Sequence, residues 1–403
     1  MSSHRPPPPQ SLPSAGASRP SQGRGSQQPD VLILGGGIVG LACAWRLAVA
    51  GATVELLEKG QPGAAASAAA AGMLAPLGEV PETGPFFNAC RASRDLWARW
   101  VRALEEESGV PIEYDTSGAL MIALTESDEA ALEVLRSAAE DLGEAWEPVS
   151  AGRLARAVPD LSPSARGALL LPGEHRVENR AVCRALAQAC AWRGVSMVSD
   201  FEVERVRVHR DGVVVEGSKG RRAAPRMVVT AGAWSGTVRG LPALPVRPVK
   251  GQMVRLDGVR WPWDGIVSRH LPQIPGRQGG GLYAVRRGPH GLLVGATVEP
   301  QAEFDSRVTA GGLGRLLEGL IELFPGLANA EVERTWAGLR PSSPDGRPLI
   351  GPVDHGECLF AATGHYRNGI LLAPWTAEQI TTLLQGRPGA AELAAFTPSR
   401  FHG

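Results

Sequence analysis

Three glycines at a fixed spacing carry the first chemical signal in this chain. They stand in Asp30-Val31-Leu32-Ile33-Leu34-Gly35-Gly36-Gly37-Ile38-Val39-Gly40, as Gly35-x-Gly37-x-x-Gly40. A short apolar strand runs into them, a helical stretch from Leu41 to Ala50 follows, and a second strand over Thr53 to Leu57 ends at Glu58. Strand, glycine turn, helix, strand and terminal acid in this order form the βαβ fingerprint that holds a dinucleotide. Gly35 permits the tight turn out of the strand. Gly37 lacks a Cβ, so a pyrophosphate can approach the backbone, and Gly40 lets the helix pack closely on the strands. The helix N-terminus offers amide N–H groups and a partial positive charge to the phosphates. Glu58 is placed to accept hydrogen bonds from ribose hydroxyls. A Gly-rich turn in an ordinary βαβ unit would leave Glu58 without a purpose.

A second group of residues suits the capture of a carboxylate. Arg340 sits between an apolar strand and Pro341, an odd place for a surface cation. Its planar fork matches a carboxylate bidentately; the alternative is an ion pair with Glu333 or Asp345. Arg367 can serve the same substrate, or clamp cofactor or backbone carbonyls instead. Tyr283, one of only three tyrosines, lies in a strand. Its hydroxyl either donates to the same carboxylate or belongs to a packed aromatic. The five cysteines form no C-x-x-C pair and the eight histidines no ligand spacing. No metal site is expected, and scattered free thiols point to a reducing cytoplasm.

At 403 residues the chain suits two domains. Lys plus Arg and Asp plus Glu are 41 each, so nothing in the charge balance draws the chain to nucleic acid or an anionic membrane. No apolar run is long enough to span a bilayer. Residues 1–29 are rich in Pro, Ser, Gly, Gln and Arg and are expected to form a disordered tail. Helices are expected over Pro85 to Ser108, Ser127 to Leu142, Asn179 to Arg193, Thr309 to Phe324 and Asn368 to Leu384. The strands at Ser196 to Val198, Phe201 to His209, Val213 to Glu216 and Met227 to Ala231 should return the chain to the first sheet. Val249 to Leu256, Ile266 to Ser268, Leu282 to Arg286, Leu292 to Val298 and Glu331 to Leu339 read as mainly antiparallel strands, and Glu357 to Ala362 as a further strand. The fold class is therefore α/β: a Rossmann-like dinucleotide domain with an inserted antiparallel-sheet domain. The expected division is 30–84, 174–245 and 335–403 for the first, and 85–173 and 246–334 for the second.

Several motifs carry a family resemblance. Ala69-Ala70-Ala71-Gly72-Met73-Leu74-Ala75-Pro76 and Gly364-His365-Tyr366-Arg367-Asn368-Gly369-Ile370-Leu371-Leu372-Ala373-Pro374 closely resemble the glycine oxidase branch of the D-amino-acid-oxidase family of FAD flavoproteins. So do Trp336-Ala337-Gly338-Leu339-Arg340-Pro341, Ser343-Pro344-Asp345-Gly346, Arg247 to Met253 and Gly295 to Glu299. The resemblance covers about Asp30 to Leu384.

It implies FAD as the dinucleotide. Small residues at three strand ends, including Thr230-Ala231-Gly232 and Ala362-Thr363-Gly364, suit one long ligand across the sheet's carboxyl edge. By resemblance, Ile38 and Val39 lie over the pyrophosphate and Glu58 and Lys59 at the ribose. Ala71, Gly72 and Met73 line the flavin, Val203 meets the adenine, and His365, Tyr366, Arg367, Asn368, Gly369, Ile370 and Leu371 wrap the pyrimidine end. Arg340, Arg367 and Tyr283 then bind the substrate carboxylate. The implied reaction moves a hydride from Cα of glycine or a similar small amino acid to FAD, needs no general base, and uses O2 to give hydrogen peroxide; the rival of the same fold is a D-amino-acid dehydrogenase that passes the electrons to quinone. The imine would feed the thiazole of thiamine. In related sarcosine oxidases a Cys carries the flavin; here Gly338 stands about there, which implies non-covalent FAD. The family's usual proline after the tyrosine strand is replaced by Val285-Arg286-Arg287. The resemblance also implies a homotetramer.

Overall fold

The computed structural model describes residues 28–158, 160–261, 263–269, 281–353 and 358–401. Residues 1–27 of the expected tail lie outside them, as does Glu357 at the head of an expected strand. The described chain opens with β1 (Val31–Leu34), α1 (Ile38–Val49) and β2 (Val54–Leu57). All four residues of β1 are buried, as an apolar run flanked by parallel neighbours must be. Helix α2 (Pro85–Ser108), strand β3 (Ala119–Ala123), helix α3 (Glu126–Leu142) and strands β4 (Glu147–Ser150) and β5 (Gly167–Leu171) follow. Then come α4 (Asn179–Trp192), β6 (Ser196–Val198), β7 (Arg226–Val229), the long strand β8 (Arg247–Asp257), β9 (Ile266–Ser268), β10 (Tyr283–Arg287) and β11 (Gly291–Gly295). Helix α5 (Ala310–Leu323), the long strand β12 (Glu331–Ser342), β13 (Leu349–Pro352), β14 (Leu359–Thr363) and α6 (Gly369–Leu384) complete the two main sheets and their helices.

The first sheet runs β13-β14-β7-β1-β2-β6, parallel except for the β13–β14 pair. The second runs β12-β8-β11-β10-β9-β3-β5-β4 and is antiparallel except between β9 and β3. One expectation fails. Val203–His209 and Gly212–Gly217 do not join the first sheet; with Gly220–Ala224 they form a separate three-stranded antiparallel sheet. Tight hairpins hold these strands to each other, and outward Glu204, Arg205 and Arg207 leave one face in water. Strand β13 was not foreseen, because Pro348, Gly351 and Pro352 hide it; it sits on the sheet edge, where proline is tolerated.

Helix α2 buries Phe87, Cys90, Trp97, Trp100, Val101 and Leu104, and its partner α6 is buried nearly all round. Pro374 inside α6 cannot donate a backbone bond and crowds the preceding turn. Helix α2 satisfies the groups this frees. Ser93 Oγ and Trp97 Nε1 donate to the Leu371 carbonyl at 2.6 and 3.0 Å, and Trp375 N–H donates to Ser93 Oγ at 3.2 Å. The start of α6 is thereby fixed against α2.

Two glycines test how tightly the βαβ unit is drawn. A Cβ on Gly40 would lie 2.0 Å from the Gly35 carbonyl oxygen and 2.7 Å from Thr230 Oγ1, whereas one on Gly314 in α5 meets nothing within 4 Å. Alanine is intrinsically better than glycine in a helix by about 1 kcal/mol. Gly314→Ala should therefore raise stability in urea unfolding by about 0.5–1 kcal/mol. Gly40→Ala should lower it by at least about 2 kcal/mol, the clash outweighing propensity.

Candidate active site

The turn between β1 and α1 opens onto a cavity of about 540 Å³. Gly35 has φ +107°, and a Cβ there would strike the Thr230 carbonyl oxygen at 2.5 Å, so glycine is required. Helix α1 begins at Gly37 without a side-chain cap. The Ile38 amide donates to Ser67 Oγ at 2.9 Å, a polar group at the place where a helix N-terminus receives phosphate. Glu58 Oε2 and Oε1 accept from the Gly36 and Gly60 amides at 2.6 and 2.8 Å. Each carboxylate oxygen has capacity for a second bond.

Gly35, Gly37, Ile38, Val39, Glu58, Lys59 and Val203 line one end of the cavity. Lys59 is at the rim, in an exposed pair with Glu202 at 2.7 Å. Ala71, Gly72 and Met73 form the middle wall. Gly72 has φ +75°, and a Cβ there would lie 1.9 Å from the Val177 carbonyl oxygen. Arg340, Tyr283 and Arg367 reach the far end, with His365, Tyr366, Asn368, Gly369 and Ile370 at the start of α6. Tyr366 is held at φ +49°, a conformation that costs a non-glycine residue about 1–3 kcal/mol and tends to persist at functional sites. Its amide donates to the Pro341 carbonyl at 2.7 Å, which ties the α6 start to the end of β12. Gly40 and Leu371 do not line the cavity. Gly40 faces the Gly35 carbonyl, and Leu371 is buried with its carbonyl turned to α2.

These residues fit FAD. An elongated space runs past an uncapped helix N-terminus, an acid at the end of β2 and a floor of alanine and glycine. A Cβ on Gly338 would lie 2.6 Å from Ala69 Cβ, so the position has no room for a flavin-linking Cys. None of the five buried cysteines lines the cavity.

At the far end the sheet register places a cation. Arg340 pairs with Val249 across β8 and β12, and Gly338 with Gly251. The guanidinium lies over Gly251: a Cβ there would meet Arg340 Nη1, Cζ and Nη2 at 2.2–2.4 Å. Arg340 Nη1 donates to the Thr297 carbonyl at 3.1 Å. Among the described residues no carboxylate forms an ion pair with it. Both candidate partners are taken, Glu333 by Arg255 and Asp345 by Arg400. Loss of water pushes the Arg340 pKa down, Tyr283 pulls it back, and the Arg367 charge adds to the fall.

A buried polar network stands behind that carbonyl. Thr297 Oγ1 donates to Glu299 and accepts from the Gln252 amide at 2.9 Å. Gln252 Nε2 donates to Glu299 Oε1 at 2.6 Å, and Lys250 Nζ is 3.0 Å from Glu299 Oε2. Burial alone would raise the Glu299 pKa; hydrogen bonds from Thr297, Lys250 and Gln252 outweigh it and hold it low.

Arg367 is engaged differently. Its Nε and Nη2 donate to Glu79 Oε2 and Oε1 at 2.6 and 2.9 Å. Burial opposes its charge, but Glu79 more than restores it and raises its pKa. The cavity end therefore holds one cation paired with an acid and one without. Tyr283, buried on the cavity face of β10, donates to Met253 Sδ at 3.3 Å. It pairs with Gly295, whose missing Cβ would lie 2.7 Å from the hydroxyl. Burial raises the Tyr283 pKa, against the pull of Arg340 and Arg367. The chain does not need a proline after this strand: Arg287 turns inward and donates to the carbonyls of Ala71 and, at 3.3 Å, Val177. His365 Nε2 lies 3.0 Å from Thr376 Oγ1, and burial brings its pKa down to about 3.

Sequence reading missed Glu79, Ser67, Gly251 and Thr297 as parts of the site. Gly251 and Thr297 lie inside the quoted motifs. Glu79 gave no local signal, standing 288 positions from the arginine it pairs with.

Two outcomes follow from this geometry. Gly251→Ala leaves a strand-compatible backbone but evicts the fork of Arg340. Thermal-shift titration with acetate should show affinity weakened about tenfold or more, equal to about 1.4 kcal/mol, with little change in the ligand-free melting temperature. The second concerns acid. His365 titrates at 6.5 when unfolded and near 3 when folded. Between these values the unfolded chain binds the proton, so its contribution to stability is complete above pH 6.5 and is lost as pH falls toward 3. Its slope reaches about 1.4 kcal/mol per pH unit. His365→Gln should flatten urea-unfolding free energy against pH over this window.

Comparison with known proteins agrees with this geometry. The family described as DAO, FAD dependent oxidoreductase, matches residues 30–383. Glycine oxidase of Geobacillus kaustophilus is 35% identical over 378 residues, covering 93% of this chain and 97% of its own length. The bifunctional protein ThiO/ThiG of a Nostoc species is 34% identical over 92% of this chain, which spans 55% of that protein. The crystal structure of the Geobacillus kaustophilus glycine oxidase superposes with a TM-score of 0.86 at 33% identity, covering 94% of this chain and all of the other. The chain belongs to the FAD dependent oxidoreductase family, with FAD as its cofactor.

Proposed function

We propose that this enzyme oxidises glycine, or a similarly small amino acid, to its imine in the cytoplasm, with O2 as the final acceptor. Water and the imine then give glyoxylate and ammonia, with hydrogen peroxide formed from O2. Where a second enzyme takes the imine first, it supplies the thiazole of thiamine. The observation that carries this reading is the Arg340 fork, exposed to the cavity and without a carboxylate partner among the described residues. A substrate carboxylate completes that charge balance with two parallel hydrogen bonds. The glycine oxidases among the relatives support the choice of substrate class.

Bound FAD supplies the hydride acceptor. The protein's own residues position the substrate. Arg340 holds the carboxylate, and Tyr283 can turn its hydroxyl from Met253 Sδ to the same group. Arg367, locked and neutralised by Glu79, contributes shape to the wall. Orientation of this kind can lower a barrier by several kcal/mol without any proton transfer to protein. His365 is no base: it stays neutral with its Nε2 against Thr376. Gly37, Ile38 and Val39 would face the pyrophosphate, Glu58 and Lys59 the ribose, Val203 the adenine, and Ala71 to Met73 with Tyr366 to Ile370 the flavin. In this reading the cofactor domain of three segments and the substrate domain of two meet within β12, whose pairing with β8 runs to Ser342, past the expected boundary at 334/335.

The test has a cofactor arm and a substrate arm. Acid precipitation of the yellow protein should release all its FAD to the supernatant; colour kept in the pellet would show a covalent bond. With glycine, peroxide should form in step with oxygen uptake, whereas turnover only with a quinone would exclude the oxidase reading. Arg340→Ala should retain FAD while kcat/KM falls roughly 10- to 100-fold or more, since a charge-assisted bond contributes about 1.5–3 kcal/mol. Arg340→Lys should lie between. Normal turnover in both variants would remove Arg340 from the site.

A further inference from the structure

A second cavity of about 260 Å³ lies behind the alanine wall of the first. Arg180, Arg255, Arg287 and Arg334 all line it. Arg255 has an acid partner in Glu333. Arg180, Arg287 and Arg334 form no ion pair with a carboxylate among the described residues. The two acids in the lining are engaged elsewhere. Glu113 pairs with Arg176 at 2.7 Å, and Glu178 caps α4, accepting from the Arg180 and Ala181 amides at 3.1 and 2.6 Å. Three guanidinium groups therefore share a small space without an ion pair of their own, offset only by the fields of Glu178 and Glu113. Trp336 does not relieve this fully: Arg334 lies 4.8 Å and Arg180 5.6 Å from its ring. Burial first, and then the Arg334 charge, lower the Arg180 pKa.

We propose that this cavity is an anion site, taking a compact oxyanion with two negative charges, a phosphate or a small dicarboxylate. The ligand is chosen by charge and size. Several guanidinium forks converging on a confined space favour phosphate or carboxylate oxygens over any neutral group. The site is also wired to the cofactor segment. Ala70 lines both cavities. Arg180 Nε donates to the Ala68 carbonyl at 3.0 Å, Trp336 Nε1 to Ala69 at 3.2 Å, and Arg287 to Ala71. An anion drawing these arginines together tightens the strip of backbone on which the flavin lies.

The test uses FAD-loaded protein carrying Arg340→Ala, so that carboxylates seated in the first cavity do not contribute. Melting temperature and flavin absorbance are followed against inorganic phosphate and, separately, succinate, with sodium chloride at matched ionic strength as reference. We expect a saturable rise in melting temperature beyond chloride, with a parallel flavin spectral shift. A response to phosphate alone or to succinate alone supports the site and identifies which oxyanion geometry it prefers. Arg334→Ala should weaken the midpoint about tenfold or more and, in the otherwise wild-type enzyme, should leave basal turnover unchanged. Arg334 is exposed, so its removal leaves folding intact. Absence of a saturable effect with either anion, or an unchanged midpoint in Arg334→Ala, overturns the proposal, as does a melting shift with no change in the flavin spectrum.

Discussion

A guanidinium without an acid partner is the constraint on which the rest of this structure depends. Arg340 is withdrawn from bulk water yet forms no ion pair among the described residues. Such a group is costly to hold, because desolvation disfavours the charge and nothing opposite repays it. The fold manages the cost from behind. The Lys250–Glu299–Gln252–Thr297 network fixes one carbonyl that accepts from Arg340, and Gly251 gives the fork a place to lie flat. Meanwhile the neighbouring Arg367 is neutralised by Glu79. Two cations at one cavity end are thus treated in opposite ways: among the described residues one is paired with an acid and one is not, and the second is the charge we propose for the substrate carboxylate.

The two sheets divide the work. The parallel sheet delivers small residues and helix N-termini to one edge, an arrangement suited to holding a long phosphate-bearing ligand through backbone. The antiparallel sheet delivers side chains, with Tyr283 on β10 and Arg340 on β12 reaching the same space. They meet where the start of α6 is pinned, by the Tyr366 amide on Pro341 and by Ser93 and Trp97 on the Leu371 carbonyl.

Much of this was legible from the amino acids. The βαβ unit was readable because each glycine and the terminal Glu58 answer to a local geometric demand. Helices α2 and α6 were readable from apolar spacing and a run of apolar residues. The small sheet at Val203–Ala224 was not, because alternation marks a strand without naming its partner. Leu371 lies outside the cavity lining, with its carbonyl on Ser93 and Trp97: a helix that enters a site turns away from it within one turn, and the resemblance alone does not say where. The ion pair of Arg367 was the least legible feature. Glu79 lies in an unremarked stretch, and a contact across 288 positions leaves no periodic trace. For Arg340 the amino acids left ion pair and ligand both open; the structure pairs Glu333 and Asp345 with other arginines, and the ligand role is the one we propose.

The most direct measurement of the central claim is the unfolding free energy of FAD-loaded Arg340→Met against wild type, with no carboxylate present. Methionine keeps much of the bulk and removes the charge. If Arg340 is an uncompensated cation kept for a ligand, the variant should be as stable as wild type or more so, because only one hydrogen bond to a carbonyl is lost against a relieved desolvation cost. A loss of about 3 kcal/mol or more, the amount expected on breaking a buried ion pair, would contradict the account and make Arg340 a structural residue.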